Sequence, residues 1–400
     1  LFPALYFSSI NAVQVLKGTF RVSGKLTGRK ALIVVQYCIS LILITATIIM
    51  YKQYHHFLAY DLGYNTKDIL NIELKGNKPE LLEKELEQLP EVKGMALSAM
   101  VTSVGDYWGT NMKNPNNPDD SAGVRVNRID ENYLPLLEHA LLAGRNFNYK
   151  EKRAEEGEVI VNEQVLKRFD IADRIPSQAI GQEVRIEGKP MTIIGVIKDF
   201  QYGRANNKSG EEVIMRYIGE MPEYLNVKFS TTDFQAFKEK INHIWKKIDP
   251  VHPMEAELYE DKIKEGFKGM EASVKLAGFI AFLAIVIASL GMLGMVVFTT
   301  ETRIREVSIR KVMGASEGRL LYLLGKGFFL LLLLAAAISL PVTWLVFEKI
   351  MLPMLANHLP LGVAEMTLGT LAVMVLALVM ISSQTIKVAR SNPAVVLKNE

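Results

Sequence analysis

The chain has 400 residues, 49% of them hydrophobic and 22% charged, with a net charge of +3 and a single cysteine. One cysteine excludes an intrachain disulfide framework, so any large domain here folds on its apolar core alone. The basic residues gather beside apolar runs, which reads as membrane orientation and excludes a nucleic-acid binder.

Four windows contain no Asp, Glu, Lys or Arg: 31–51, 276–300, 327–347 and 366–386. A helix needs about 20 residues to cross a hydrocarbon layer of about 30 Å, and each window is long enough. The alternative, four buried core helices of a soluble protein, would need an improbably large core around them. The only amides in these windows, Gln36 and Gln384, are tolerable where spans pack together.

Charge orients the spans. Lys17, Arg21, Lys25, Arg29 and Lys30 precede the first window with no acid among them. Arg303, Arg305, Arg310, Lys311, Arg319 and Lys326 follow the second against Glu301, Glu306 and Glu317. Lys387, Arg390 and Lys398 face only Glu400 after the last. These segments hold fourteen cations and four anions, so the rest of the chain carries −7. Cation-rich loops stay in the cytoplasm. The expected order is a cytoplasmic linker (1–30), span 1 (31–51), an outer domain (52–275) and span 2 (276–300). A cytoplasmic elbow (301–326), span 3 (327–347), a short outer loop (348–365), span 4 (366–386) and a cytoplasmic tail (387–400) complete it. The first span can itself direct insertion.

The chain opens with LFPALYFSS, which reads as the stub of an earlier span. SINAVQVLKG (9–18) and RSNPAVVLKN (390–399) share Asn, Val, Leu and Lys at matching positions. This suggests a repeated membrane unit, an arrangement common in transporters.

The outer region reads as α/β with two lobes, one inserted in the other at roughly 131–221. DILNIEL (68–74) alternates as a strand does, and PELLEKELEQLP (79–90) is helical with Pro79 at its start. A strand is expected over 92–100, a loop over 116–123 and a strand over 124–129. YLPLLEHALLAGR (133–145) is expected as a short helix ending near Gly144. EVIVNEQVLKRF (158–169) reads as a strand, then a helix from Asn162. EVRIEGKPMTIIGVIKDF (183–200) reads as a hairpin turning at 187–190. Strands at 213–218 and 224–230 precede a helix with Thr232 as N-cap and Asp233 in its first turn. From Tyr259 one helix is expected to run into span 2, and span 1 continues through YKQYHHFLAY. Two helices would then form a stalk.

Enzyme signals are thin. No stretch fits the phosphate-cradling GxxxxGK[ST] loop, and HExxH and CxxC are absent. SIRK (308–311) matches a Ser–Lys pattern without its companion motifs. His55 and His56 point apart on a helix and suit an interfacial anchor better than a metal site. NKS (207–209) fits a glycosylation sequon, a three-residue match with little specificity. No catalytic, cofactor-binding or metal-ligating residue is assigned.

The informative stretch is ETRIREVSIRKVMGAS (301–316). Ile304, Val307, Ile309, Val312 and Met313 give a helix an apolar flank. Glu301–Arg305 and Glu306–Arg310 are i,i+4 pairs in the favourable order. Gly314 can end the helix in the left-handed region, and Ser316 can cap the next one. A positive-inside anchor is the plain alternative, yet an anchor gains nothing from Glu301 and Glu306. Mixed charges suit a docking helix.

The segment from Gly278 to Ser316 resembles the membrane-and-elbow signature of FtsX/MacB-type ABC transporter permeases, especially two-unit Bacteroidetes members. The resemblance falls on Glu301, Arg303, Glu306, Ile309, Arg310, Lys311, Gly314, Ala315 and Ser316, with Ser308 replacing the usual glycine. RKALIVVQYCISLILI with DLGYNTKDIL, and IIGVIKDFQY, resemble the family's first span and outer-domain hairpin.

The resemblance implies an α-helical membrane protein with four transmembrane helices and a large, two-lobed, MacB-like periplasmic core. It implies that this chain corresponds to a C-terminal half in the bacterial inner membrane, with about 52–275 in the periplasm. A separate ATPase would dock on the elbow (Glu301, Arg303, Arg305, Glu306, Ile309, Arg310, Lys311, Gly314, Ala315, Ser316). ATP and Mg would be bound by that partner and no cofactor by this chain. Other expected partners are lipids, a periplasmic adaptor or envelope protein, and a second permease unit or copy. The expected function is mechanotransmission or export. The alternatives are a regulator that activates envelope hydrolases and an ATPase-independent sensor.

Overall fold

The computed structural model describes residues 26–389 except 106–107, 116, 118, 149–156, 209 and 219–221. It does not describe the side chains of 26, 27, 29, 304, 305, 308, 311, 317, 320, 321, 384, 385 and 387–389 within the helices. The apolar stub, both copies of the ten-residue repeat, and Ser209 of the sequon lie outside the described residues.

In chain order the elements are α1 (Leu26–Leu58), β1 (Ile69–Glu73), α2 (Pro79–Leu86), β2 (Val92–Ser98), β3 (Gly109–Lys113) and β4 (Ser121–Ile129). Next come α3 (Tyr133–Leu136), β5 (Leu141–Gly144), β6 (Glu158–Asn162), α4 (Glu163–Phe169), α5 (Pro176–Ala179), β7 (Glu183–Ile186) and β8 (Lys189–Ile197). Then follow β9 (Val213–Tyr217), β10 (Tyr224–Phe229), α6 (Phe234–Ile248), β11 (Ala256–Leu258), α7 (Tyr259–Gly266) and α8 (Lys268–Thr302). The last are α9 (Ile304–Val312), α10 (Glu317–Val346) and α11 (Val363–Ala389).

The chain divides into two compact units. One holds residues up to Tyr51, Ser273–Ile350 and the chain from Pro360; the other holds Lys52–Ala272 and Met351–Leu359. Among the described residues, four helical segments, lying mostly in the first unit, are long and apolar enough to cross a membrane: Lys30–Leu58, Lys268–Thr302, Tyr322–Met354 and Val363–Ser383. They share one core in which Tyr37 and Leu41 of α1 meet Met292 of α8, Leu332 and Ala335 of α10, and Ala377 of α11. Their outward faces carry Leu32, Phe279, Phe282, Leu330 and Leu371, all exposed. Apolar side chains on both faces are what a helix bundle solvated by lipid requires.

The second unit is α/β. Its eleven described strands form one sheet, ordered β11-β1-β10-β2-β4-β3-β7-β8-β6-β9, with β5 added to β8. In the first lobe α2 and α6 cover β1, β2 and β10, with Leu82, Phe237 and Trp245 over Leu70, Leu97 and Val227. In the second, parallel pairing of β4 with β9 closes β4-β3-β7-β8-β6-β9 into a ring. Every ring strand contributes to one cluster, among them Met112, Val124, Val161, Val184, Ile193 and Ile214, joined by Leu166 and Phe169 of α4. The ring begins at β3, earlier than the expected lobe boundary near 131, because β3 and β4 complete it.

Several local expectations hold for the expected reasons. The Asn162 side chain accepts from the Val165 N–H and caps α4. The β7–β8 hairpin turns through Glu187 and Gly188, both at positive φ. Three expectations are corrected. The helix expected over 133–145 stops at Leu136, because Glu138 takes a φ of 59° and Leu141–Gly144 pairs with β8 instead. The N-cap of α6 is Asp233, which accepts from the Ala236 N–H at 3.0 Å, and not Thr232. The helix expected to run unbroken from Tyr259 is interrupted at Phe267, whose ring stacks on Phe57 at 6.0 Å.

Candidate functional site

The elbow is built from two helix ends and one short helix. α8 ends at Thr302, and Arg303 makes the turn, its carbonyl accepting from the Val307 N–H at 3.0 Å. α9 has nine residues, fewer than the roughly 12–15 at which an isolated helix becomes marginally stable in water. It therefore depends on packing. Val307 and Leu324 of α10 are both buried and form a small cluster with Ala315. Burying an aliphatic side chain contributes about 1.5–3 kcal/mol.

The end of α9 is closed in a specific way. Gly314 has a φ of +85°, the left-handed conformation, where any Cβ is strained. The Ala315 N–H reaches back to the Arg310 carbonyl at 3.0 Å, and the Met313 N–H to that of Ile309 at 3.0 Å. The first is the long bond of a Schellman motif, and Ala315 packs against the Val307–Leu324 cluster. Ser316 is extended and precedes α10, whose Arg319 N–H donates to the Ser316 carbonyl at 3.1 Å. The Ser316 hydroxyl makes no capping bond, so only its backbone serves the expected cap.

The remaining site residues divide by exposure. Glu306, in the first turn of α9, pairs with Arg310 at 2.8 Å, and both are about half exposed. An acid near the N-terminus and a cation near the C-terminus each suit the helix dipole. Glu301 and Arg303 are exposed at the turn. Arg305 and Lys311 lie on α9, with side chains outside the described residues. Ile309, Val312 and Met313 are 55%, 69% and 82% exposed. They recur at i, i+3 and i+4 and so form one stripe, turned away from the Val307 contact.

The elbow thus offers a pinned helix with an apolar stripe beside a charge pair. Sequence reasoning missed Leu324, which lay in a leucine-rich run read only as the approach to span 3. Its role depends on meeting Val307, and no local pattern marks that.

A second set of buried groups, in the outer unit, also escaped the sequence. The Tyr64 hydroxyl lies 2.7 Å from Ser103 Oγ, 2.9 Å from Thr102 Oγ1 and 3.1 Å from the Tyr259 hydroxyl. His139 stacks on the Tyr64 ring at 4.8 Å and meets Phe200 edge-on at 4.8 Å. Burial pushes this imidazole down to about 3, so it is neutral. Asp130 is also buried and is pushed up to about 7, chiefly by desolvation, against backbone hydrogen bonds that favour its charged form.

Comparison with known proteins accords with both units. Residues 40–249 match the MacB-like periplasmic core domain, and residues 278–393 match the FtsX-like permease C-terminal domain. The chain is 21% identical over 247 residues to the macrolide export ATP-binding/permease protein MacB of Rhodopseudomonas palustris, covering 60% of this chain and 36% of that one. It is 22% identical over 211 residues to the uncharacterized ABC transporter permease YknZ of Bacillus subtilis, covering 51% and 52%. The chain thus spans about half or less of the length of these relatives. The periplasmic region of MacB from Actinobacillus actinomycetemcomitans aligns at 14% identity with a TM-score of 0.38, covering 51% of this chain and 94% of that one. With a periplasmic-core match over more than half its length and an FtsX-like match over its last three candidate spans, the chain belongs to the FtsX/MacB-type ABC transporter permeases, membrane proteins with a two-lobed extracytoplasmic domain.

Proposed function

We propose that this chain is a permease subunit that couples ATP hydrolysis by a separate ATPase to work at the cell envelope, by mechanotransmission or export. The observation that carries this is the exposed stripe of Ile309, Val312 and Met313 on a helix pinned from behind by Val307 and Leu324. An exit helix whose stripe stays in water gains nothing from exposing three large apolar groups beside an ion pair. A docking helix gains both burial and orientation. The ATPase binds ATP and Mg, and this chain contributes contact residues and no catalysis. Arg303, Glu306, Arg310, Lys311 and Gly314 are the principal coupling residues.

On this reading the elbow is cytoplasmic and the α/β unit periplasmic, in the bacterial inner membrane, which the cation-rich segments favour. Lipids surround the four spans, and a second permease unit or copy completes the assembly. A periplasmic adaptor or envelope protein is the natural partner for the outer unit. Co-expression with a candidate ABC ATPase subunit from the same organism, followed by affinity purification of this chain, tests the reading. Stoichiometric recovery of the ATPase is expected; its absence from a folded, membrane-inserted preparation contradicts the proposal.

A further inference from the structure

The nine residues Met351–Leu359, which run from the last turn of the third candidate span toward the fourth, group with the outer unit and not with the rest of those spans. The contacts within that unit explain why. Leu352 is buried, and Leu355 packs against the cluster that contains Phe200, Tyr202 and Ala205. Asn357 is at its centre. Its Nδ2 lies 3.0 Å from the Ala205 carbonyl, 3.2 Å from that of Asn207 and 3.4 Å from Gln201 Oε1. Its own carbonyl accepts from His56 Nε2 at 2.8 Å. The neighbouring Ala356 N–H donates to the Asn206 carbonyl at 3.1 Å. Gln53 then clasps Leu359 twice: Nε2 donates to its carbonyl at 2.8 Å and Oε1 accepts its N–H at 2.9 Å.

Asn357 holds this place at a φ of 54°. A non-glycine residue keeps a left-handed backbone only where its surroundings over-determine it, and asparagine tolerates it best. A linker that merely turned between two helices would need neither this conformation nor an amide turned toward backbone carbonyls.

The segment that receives Asn357 is itself a junction. It includes the end of IIGVIKDFQY, a motif with no role so far. The Gln201 carbonyl accepts from Ser103 Oγ at 2.6 Å, and the Gln201 N–H donates to the Leu62 carbonyl at 2.8 Å. Arg204 Nε donates to the Val104 carbonyl at 3.2 Å, and the Tyr202 hydroxyl to that of Val126 at 2.7 Å. Residues 199–207 therefore link the stretch just after α1, the 102–104 loop and β4 of the ring.

We propose that Asn357 is a positioning residue that fastens the loop between spans 3 and 4 to the 199–207 junction. The loop thereby becomes a tether that passes movement of those spans to the outer domain, in addition to the helices α1 and α8. The anchoring stands on its own contacts; the transmission rests on the function proposed above.

Hydrogen–deuterium exchange of the full chain in lipid nanodiscs tests both parts. Asn357→Gly keeps the left-handed backbone accessible and deletes the amide, whereas Asn357→Asp sets a carboxylate against carbonyl oxygens. Both variants should raise exchange of amides within 200–207 and 356–359 by about five- to tenfold, as loss of a net hydrogen bond predicts, with β1 and β10 unchanged. Unaltered exchange at 200–207 overturns the anchor. In the complex with the ATPase, ATP should change exchange at 199–207 in the wild type, and this response should shrink in Asn357→Gly. A response of undiminished size in the variant overturns the tether. Failure of the wild-type chain to bind the ATPase instead counts against the proposed function, and exchange in the chain alone still decides the anchor.

Discussion

The Arg310 guanidinium lies 2.8 Å from the Glu306 carboxylate one turn earlier on α9, with both side chains about half exposed. Such a pair contributes only about 0.3–0.5 kcal/mol to its own helix. Reversing a charge there leaves the fold nearly untouched and changes the surface offered to a partner. Glu306→Lys should therefore insert and fold normally, with substrate-stimulated ATP hydrolysis lost in the reconstituted complex. Stimulation at the wild-type level would remove Glu306 from the coupling role.

Gly314 offers a backbone test of the same elbow. A Cβ at its φ of +85° meets no neighbouring atom, so Gly314→Ala reports conformational strain alone. The left-handed conformation costs an alanine about 1–2 kcal/mol. Gly318→Ala is the control, since Gly318 lies in the first turn of α10 with open space around it. Amide exchange at Ala315, whose N–H closes the Schellman motif, should rise about tenfold in Gly314→Ala. It should stay unchanged in Gly318→Ala.

The outer ring has a comparable point of no tolerance. A Cβ on Gly144 would lie 2.1 Å from the Ile194 carbonyl oxygen, at a φ of +79°. Gly144→Ala should lower the thermal midpoint of the outer domain clearly, with a loss of at least about 2 kcal/mol. Differential scanning fluorimetry of the purified chain measures it. An unchanged midpoint would mean that β5 is not held against β8 as described.

The legible parts of the sequence were those governed by local chemistry. The helix start at Asn162 could be read because a capping side chain there needs only the N–H three residues on. The Glu187–Gly188 turn was marked by its glycine between two alternating strands. The four apolar windows were plain because a membrane span is a property of one segment. The illegible parts were decided by distant partners. β3 shows no apolar alternation, and Met112 is its only buried residue. Leu141–Gly144 reads as helical until β8 recruits it as a strand. The break at Phe267 falls in an unbroken helical pattern, and the Phe57 ring it stacks on is about 210 residues away in sequence. At the elbow, the cap and the charge pair were readable, while the Val307–Leu324 contact that holds them was not.

The buried His139 makes the outer domain sensitive to acid. Its folded-state pKa is about 3, below the ordinary 6.5, because burial disfavours the imidazolium. A depressed value means the unfolded chain takes up the proton first, so this contribution is complete above about 6.5 and is lost as pH falls toward 3. Asp130 acts in the opposite sense. Its pKa is raised to about 7, so its contribution is complete below about 4 and is lost as pH rises through 7. His139→Phe, which retains a ring between Tyr64 and Phe200, should shrink the drop in thermal midpoint between pH 7 and pH 5. Asp130→Asn should enlarge stability at pH 8 relative to wild type. Parallel pH profiles for wild type and both variants would contradict these assignments.

The central claim is that a partner ATPase docks on the exposed stripe of α9, and site-specific photo-crosslinking tests it most directly. A photoreactive residue is placed in turn at Ile309, Val312 and Met313, with Val251 of the outer unit, 79% exposed, as the control. A crosslink to the ATPase is expected from the three elbow positions and none from Val251. An intact complex that crosslinks from none of the three would contradict it.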